Sequence, residues 1–478
     1  MRAPIHSLTC LVLFSTSICA GADLPAEAAS ALRRACDFFT NEIACEGGYL
    51  WAYDLDLQRR EGEGRADAQT VWIQPPGTPS VGMALLRAYH ATGDGYYLEA
   101  ATKTGICLVQ GQLRCGGWYY SVRFDERGRK AAAYRTEPES KDRMNTSTLD
   151  DDVTQSALRF LILLDQTLEG RNAQIHEAVE YGLAALLGAQ RPNGGWPQRF
   201  SGPFDPEGFV VKSASYPEEW SRTYEGKRYA DYLTLNDNAQ YDCIRTFLLA
   251  HDVYGNAEYL EGAMKGGEFL LLAQMPDPQP GWGQQYNADM QPDWARKFEP
   301  PAITGGESQG AMEALLDLYD ISGKSAFLDA VGRALEYYEK QVLPDGRLAR
   351  YYELKTDRPL YFTKDYRLTY DDSDVPTHYS FKVNSRLGAI RRRYERGVQE
   401  GASPKSWSEI AFSSPSEESV RRVIGRLDSR GRWVDVRPLR AWPREEGKDK
   451  TLSTSTFITN TKILGDYIAM HRKESPSP

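Results

Sequence analysis

Two acidic segments, Leu149-Asp150-Asp151-Asp152 and Leu235-Asn236-Asp237-Asn238, each follow a threonine (Thr148, Thr234) and each open an apolar helical run, Val153 to Phe160 and Ala239 to Phe247. One carboxylate at such a place is explained by helix capping, because its oxygens satisfy the free N–H groups of the first turn and suit the helix dipole. Two carboxylate and amide clusters at equivalent repeat positions exceed that need. Set side by side, they supply several of the about six to eight oxygen ligands a hard cation takes. The reading requires Asp150 or Asp151 to lie near Asp237. Glu307, in Gly305-Gly306-Glu307-Ser308 at a third such helix start, is a further candidate that capping explains equally well.

A second group is basic: Arg296 and Lys297 in Trp294-Ala295-Arg296-Lys297-Phe298-Glu299, Arg350 in Leu348-Ala349-Arg350-Tyr351-Tyr352, Arg358 beside Pro359, and Lys364. Arginine forks match carboxylates with two hydrogen bonds. Solubility accounts for any one of these residues alone, but all lie in loop-like segments interleaved with Trp and Tyr, a pattern suited to sugar clefts. Trp118, Trp196 and Trp282 each follow glycine, and either stack on sugar faces or fill gaps between helix pairs. With 6 histidines in the chain, no paired-histidine motif, no serine elbow and no phosphate-binding glycine loop, histidine and zinc catalysis are disfavoured.

The elements that must position these residues repeat. Gly93 to Leu98, Gly255 to Leu260 and Gly323 to Leu328 share a glycine, three residues, an aromatic and a leucine, and a degenerate copy stands at Gly170 to Ile175. An apolar helical run flanks each on both sides, so each glycine marks the turn of an αα-hairpin. Gly-aromatic or Gly-rich turns follow the second helices, at Gly117-Trp118, Gly195-Trp196, Gly281-Trp282 and Asp345-Gly346. A first helix over about 26–42 and a last over about 455–471 lack sequence neighbours and can pair with each other. A weaker hairpin over 384–400 and 417–428 brings the total to as many as six units. The expected fold is all-α, an α/α toroid, with an open solenoid as the competing form. Its connectivity puts the acidic clusters and glycine-aromatic loops on one rim, where the long segments 200–232 and 351–379 form cleft walls.

The net charge is −9, from 57 basic and 66 acidic residues without a basic block, which excludes nucleic acid and anionic membrane as natural partners. Arg2, an apolar run from about Leu8 to Ala20 and small residues at 20–22 read as a signal peptide over 1–22, so the protein is expected to be secreted or periplasmic. A single toroidal domain over 23–472, acting as a monomer, and a disordered tail over 473–478 complete the expected organisation. Cys36, Cys45, Cys107, Cys115 and Cys243 have no metal-site spacing and read mainly as small buried hydrophobes, with at most one or two bridges.

Ser147-Thr148-Leu149-Asp150-Asp151, Gln190 to Gln198 (QRPNGGWPQ), Thr234 to Ala239 (TLNDNA), Ala295 to Glu299 (ARKFE) and Ala349 to Glu353 (ARYYE) with Asp357-Arg358-Pro359 together resemble the ordered signature of polysaccharide lyase family 10, the pectate lyases. The resemblance covers about 110–365. It implies a calcium-dependent β-elimination on polygalacturonate, an acidic polysaccharide, within an α/α barrel. By similarity Asp150, Asp151 and Asp237 serve the cation, while Arg296 clamps a carboxylate. Lys297, Trp196, Asn236 and Glu299 also bind substrate, and a downstream arginine is the base: Arg358 first, Arg350 next, Lys364 third. An arginine base conflicts with its ordinary pKa above about 12. Departures from the signature are Asp152 where a small residue is usual, and Tyr286-Asn287 where a His-Asp pair is more frequent. They leave room for another uronate polymer or for short oligomers.

Three alternatives remain. A glycoside hydrolase on the same toroid would use two carboxylates as acid and base, and the basic residues argue for elimination instead. A terpene-cyclase-like toroid fits the Gln-Trp pattern but not export and a charged cleft. A non-catalytic carbohydrate-binding protein needs the aromatics and not the clustered Asp and Arg.

Overall fold

A computed structural model describes residues 23–226 and 229–472; the expected signal peptide over 1–22 and the tail over 473–478 lie outside them. Thirteen helices occur among the described residues: α1 (Leu24–Phe38), α2 (Thr78–Thr92), α3 (Gly95–Gly111), a short α4 (Glu126–Ala131), α5 (Val153–Thr167), α6 (Ala173–Ala189), α7 (Ala239–Tyr254), α8 (Ala257–Ala273), α9 (Glu307–Ser322), α10 (Ser325–Tyr338), α11 (Leu387–Glu400), α12 (Glu417–Gly425) and α13 (Thr454–His471). The hairpin glycines do the work their spacing suggests. Gly93, Gly255 and Gly323 end α2, α7 and α9 at φ 73°, 66° and 66°, in left-handed conformations that cost glycine little.

The helices form an α/α toroid. Helices α2, α5, α7 and α9 pack in succession as an inner layer, with α13 against α2 and α11 against α9. The outer layer is α3, α6, α8 and α10, each beside its hairpin partner, while α1 packs on α13 and α12 on both. Burial follows position. In inner helix α9 every residue from Glu307 to Asp320 is buried apart from Glu313, whereas outer helix α8 buries one stripe of Gly262, Ala263, Gly266, Gly267, Phe269, Leu270 and Ala273. The chain ends meet as expected, with the Phe39 and Phe457 rings stacked 3.8 Å apart. Residues 401–416 cross the end of the ring opposite the acidic turns. Asp252 of α7 accepts from the Trp407 and Ser408 amides, Lys405 pairs with Asp317 of α9, and Ser413 donates to Asp466 of α13.

The glycine-tryptophan turns lock neighbouring units together. The indole N–H of Trp118, Trp196 and Trp282 donates to Leu108, Leu186 and Leu270, each three residues from the end of an outer helix, and so ties each turn to that helix. Gln112, Gln190 and Gln274, at the ends of the same helices, donate to Ala178, Gly262 and Ala330 of the next outer helix. These three tryptophans are fully buried. Trp196 therefore has no free face for a sugar, which corrects its expected role in substrate binding: its indole is taken up by Leu186 and Phe247.

The rim also carries short strands that an all-α pattern does not foresee. Residues 147–148 pair with 199–200, and 233–234 with 285–286, so each acidic turn hangs from the loop behind it. A four-stranded antiparallel sheet of 302–304, 351–353, 359–362 and 368–369 forms one wall over its own apolar cluster, including Trp294, Tyr351, Leu360 and Phe381. All five cysteines after residue 22 are free thiols and four are buried.

Candidate active site

The two acidic segments fold into the same turn. Residues 150–152 and 236–238 each make one 3-10 turn ahead of α5 and α7, and the central pair is left-handed in both: Asp151 at φ 50° and Asp152 at φ 59°, Asp237 at φ 49° and Asn238 at φ 61°. Non-glycine residues in this region cost on the order of 1 kcal/mol each and persist where the surroundings enforce them. No side chain of either turn caps its helix, so capping does not account for the acids here. Instead the turns face each other, and Asp150, Asp151 and Asp237 bring one carboxylate oxygen each within 4.8 Å of the others.

Each acid is aimed by neighbours. The Tyr120 hydroxyl donates to Asp150 at 2.5 Å, and Gln74, itself held by the Trp72 indole, donates to Asp151 at 2.8 Å. The Asn236 amide donates to Asp237 at 2.6 Å and reaches Asp150 at 3.5 Å. Both turns hang from equivalent carbonyls: the Leu149 and Leu235 amides donate to Gln198 and Gln284, two residues after Trp196 and Trp282. Asp152 points away and pairs with Arg159 of α5, which also approaches Asp242 at 3.7 Å. The departure at 152 is thus compensated beneath the site.

Crowding leaves its mark on the protons. Burial, the Asp150 and Glu63 charges and, in opposition, Arg296 set the Asp151 carboxyl up to about 6. Burial and the charges of Asp151, Asp150 and Glu307, again opposed by Arg296, push Asp237 up to about 7. Its oxygens reach the open cleft, so water moderates the effect. Three mutually repelling carboxylates with an amide beside them form the donor set a hard divalent cation requires. The cluster can bind a metal ion.

Cations line the other side. Arg296 forks onto Glu299, Nε to Oε2 at 2.7 Å and Nη2 to Oε1 at 2.5 Å, and Glu299 is only 1% exposed. Gln284 links the groups, donating to Glu299 at 2.7 Å and Asn236 at 3.0 Å while accepting from Tyr351 at 2.6 Å. Arg350 donates to the Ser380 carbonyl at 2.6 Å, lies 3.3 Å from Glu307 and covers the Tyr379 ring at 4.6 Å. Burial opposes both arginine charges, but Glu299 holds Arg296 firmly protonated and Glu307 does so for Arg350. Glu307 keeps one buried oxygen without a hydrogen bond. A cavity of 490 Å³ runs from Asp237 and Glu307 past Arg350 to Arg347, Lys382 and Arg386.

Of the residues singled out from sequence, the fold gathers Asp150, Asp151, Asp237, Asn236, Arg296, Glu299 and Arg350. Arg358 and Lys364 lie elsewhere. The Arg358 guanidinium is exposed and stacks 3.3 Å from the Tyr370 ring, and Lys364 is exposed and pairs with Asp374 at 2.8 Å. Lys297 is exposed over Tyr366 at 3.5 Å. Tyr286, at the second departure, is fully buried and donates to Ala273, a packing role. Sequence reasoning passed over Gln74, Tyr120, Gln284, Tyr351 and Tyr379. The repeat held a signal for two of them, since Tyr120 and Gln284 each stand two residues after a turn tryptophan.

Comparisons with known proteins bear on the family. Residues 112–349 match the pectic acid lyase family. No curated protein matches the sequence. Among solved structures, a family 10 polysaccharide lyase variant from Cellvibrio cellulosa, in complex with trigalacturonic acid, is 18% identical over 68% of this chain and 98% of its own, with a TM-score of 0.46. A GH76 α-mannanase from Bacteroides thetaiotaomicron is 9% identical over 95% and 97% (TM-score 0.43), and a cellobiose 2-epimerase from Bacillus thermoamylovorans 14% over 92% and 98% (TM-score 0.44).

Proposed function

We propose that this chain, which belongs to the pectic acid lyase family through residues 112–349 and so to the lyases acting on polysaccharides, is an exported pectate lyase that cleaves polygalacturonate by β-elimination with calcium at Asp150, Asp151 and Asp237. The observation that carries the reading is the pairing of two strained acidic turns whose carboxylates converge within 4.8 Å opposite Arg296 and Arg350. When bound there, calcium neutralises the uronate carboxylate, makes the C5 proton more acidic and disfavours a second positive charge at Arg296.

The residues divide the remaining work. Arg350, fixed by Ser380 and by the Tyr379 ring, donates to the substrate carboxylate and stabilises the enolate-like charge that grows on it. Arg296 is assigned the base. Its charge is felt by both Asp151 and Asp237, and Glu299 fixes its Nε and Nη2, leaving Nη1 for C5. Arg296 acts in its neutral form, its own proton passing first to Glu299 along their hydrogen bond when a cation occupies the acidic site; it then takes the proton from C5, the C4–O4 bond breaks, a C4=C5 double bond forms, and the departing O4 takes a proton from water. The base therefore moves from Arg358, the first sequence-based choice, because that side chain is stacked on Tyr370, and the clamp expected at Arg296 passes to Arg350, the second choice for the base. Export rests on the leader-like residues 1–22. The test is turnover of polygalacturonate, followed by the absorbance of the unsaturated product, for the wild type, Asp151→Asn and Arg296→Ala. Loss in both variants supports the assignment, and full activity in either overturns it.

A further inference from the structure

A second cavity, of 580 Å³, is lined by Arg222, Trp294, Lys297, Tyr366, Arg367 and Tyr370 among others. Its polar chemistry is lopsided. Arg222 is neutralised, pairing with the buried Glu353, which also accepts from Tyr370 at 3.0 Å. Lys297 and Arg367, with Arg358 on the outer face of Tyr370, have no carboxylate within ion-pair distance among the described residues. Lys297 and Arg358 instead rest on the tyrosine rings, at 3.5 Å over Tyr366 and 3.3 Å over Tyr370. Unneutralised cations around tyrosine and tryptophan faces suit a ligand with both a carboxylate and a flat apolar face, as a uronate ring has.

The cavity connects to the acidic site by an unbroken run of rings. Phe298 lies 5.8 Å from Tyr366 and 4.7 Å from Tyr379, and Tyr379 faces Arg350 and Arg296. Arg296 and Lys297 are sequence neighbours whose side chains go to different cavities. One chain of sugars can therefore lie across both.

We propose that this second cavity is an outer subsite for the same anionic polysaccharide, holding a uronate unit several residues from the cleaved bond; the substrate class rests on the reading given above. Arg367 supplies a carboxylate contact there, and the tyrosines supply stacking faces. Long chains then gain affinity that short oligomers cannot reach.

The test compares Arg367→Ala, Arg367→Glu and Arg367→Lys on polygalacturonate and on trigalacturonate. For one exposed ionic contact the expected rise in KM on the polymer is roughly fivefold for Arg367→Ala and roughly tenfold or more for Arg367→Glu. Arg367→Lys stays near wild type, kcat is unchanged, and KM on the trimer moves by less than about twofold. Equal effects on both substrates, or none on either, overturn the subsite. A second arm needs no turnover: retardation in gels carrying polygalacturonate or neutral galactan, with chelator present. Retardation by the anionic polymer alone that Arg367→Glu abolishes supports the subsite even if the protein proves not to be a lyase, and retardation unaffected by Arg367→Glu overturns it.

Discussion

Replacing Asp237 by asparagine separates a cation site from a helix cap, because the two roles predict opposite changes in the metal-free protein. The Asp237 carboxylate sits within 4.8 Å of those of Asp150 and Asp151. At that separation each like-charge pair costs about 1 kcal/mol in a water-like dielectric and roughly 3 kcal/mol at an effective dielectric of 20. Asp237 opens to the cleft, so the lower figure applies, and above about pH 8, where Asp151 and Asp237 are both ionised, removing two repulsions stabilises the chelator-treated protein by about 2 kcal/mol. For a chain of this size that is a rise of about 2–4 °C in Tm. The same change removes a full charge from a calcium ion that would sit about 2.4 Å from the oxygen, a loss of about 3 kcal/mol even at the dielectric of water, or roughly a hundredfold in affinity. Thermal unfolding with chelator and across a calcium titration reads both effects. The reasoning is refuted if Asp237→Asn lowers Tm in chelator while calcium still raises it as in the wild type.

Other outcomes follow from the same geometry. Arg296→Ala and Arg350→Ala should each lower kcat by about a hundredfold to a thousandfold, the range for losing a base or an enolate donor, whereas Arg358→Ala should cost less than about tenfold; steady-state rates on polygalacturonate decide. Glu299→Gln removes the buried partner of a half-exposed arginine, and should cost about 1–2 kcal/mol of stability together with about tenfold in kcat/KM, measured by chemical denaturation and initial rates. The pH dependence has a defined sign. Asp151 and Asp237 hold their protons at about 6 and about 7 when folded, against about 3.9 unfolded. Their contribution to stability is full below about pH 4 and is lost as the pH rises through 6 and 7, so Tm in chelator falls across that window. Calcium affinity, which needs both carboxylates ionised, rises across the same window, as calorimetry at several pH values can measure.

Much of this was legible in the sequence for identifiable reasons. Gly93, Gly255 and Gly323 end helices because left-handed turns favour glycine, so these three hairpins could be read directly. The twin segments at 149–152 and 235–238 occupy equivalent places, and a toroid brings equivalent places onto one rim; hence Asp150, Asp151 and Asp237 could be placed together before their geometry was known. The left-handed pair in each turn was not legible, because Asp and Asn also suit a cap, and only the backbone distinguishes the two. Arg358 and Arg350 stand in similar loop sequence, and their separation depends on the hairpin of residues 351–362, which turns Arg358 toward Tyr370. Trp196 looked available because glycine precedes it, but that glycine is needed for close packing: a Cβ at Gly195 would lie 2.8 Å from Phe269. The contribution of Gln74 needed a contact across 77 residues that no local pattern announces.

The most direct test of the account is to follow polygalacturonate cleavage in one tube by two readouts, the absorbance of unsaturated ends and the appearance of reducing ends, with calcium and then with chelator. The account predicts that the two rise together, one unsaturated end for each new reducing end, and that chelator stops both until calcium is restored. Reducing ends without unsaturated ends, or cleavage indifferent to chelator, would contradict it.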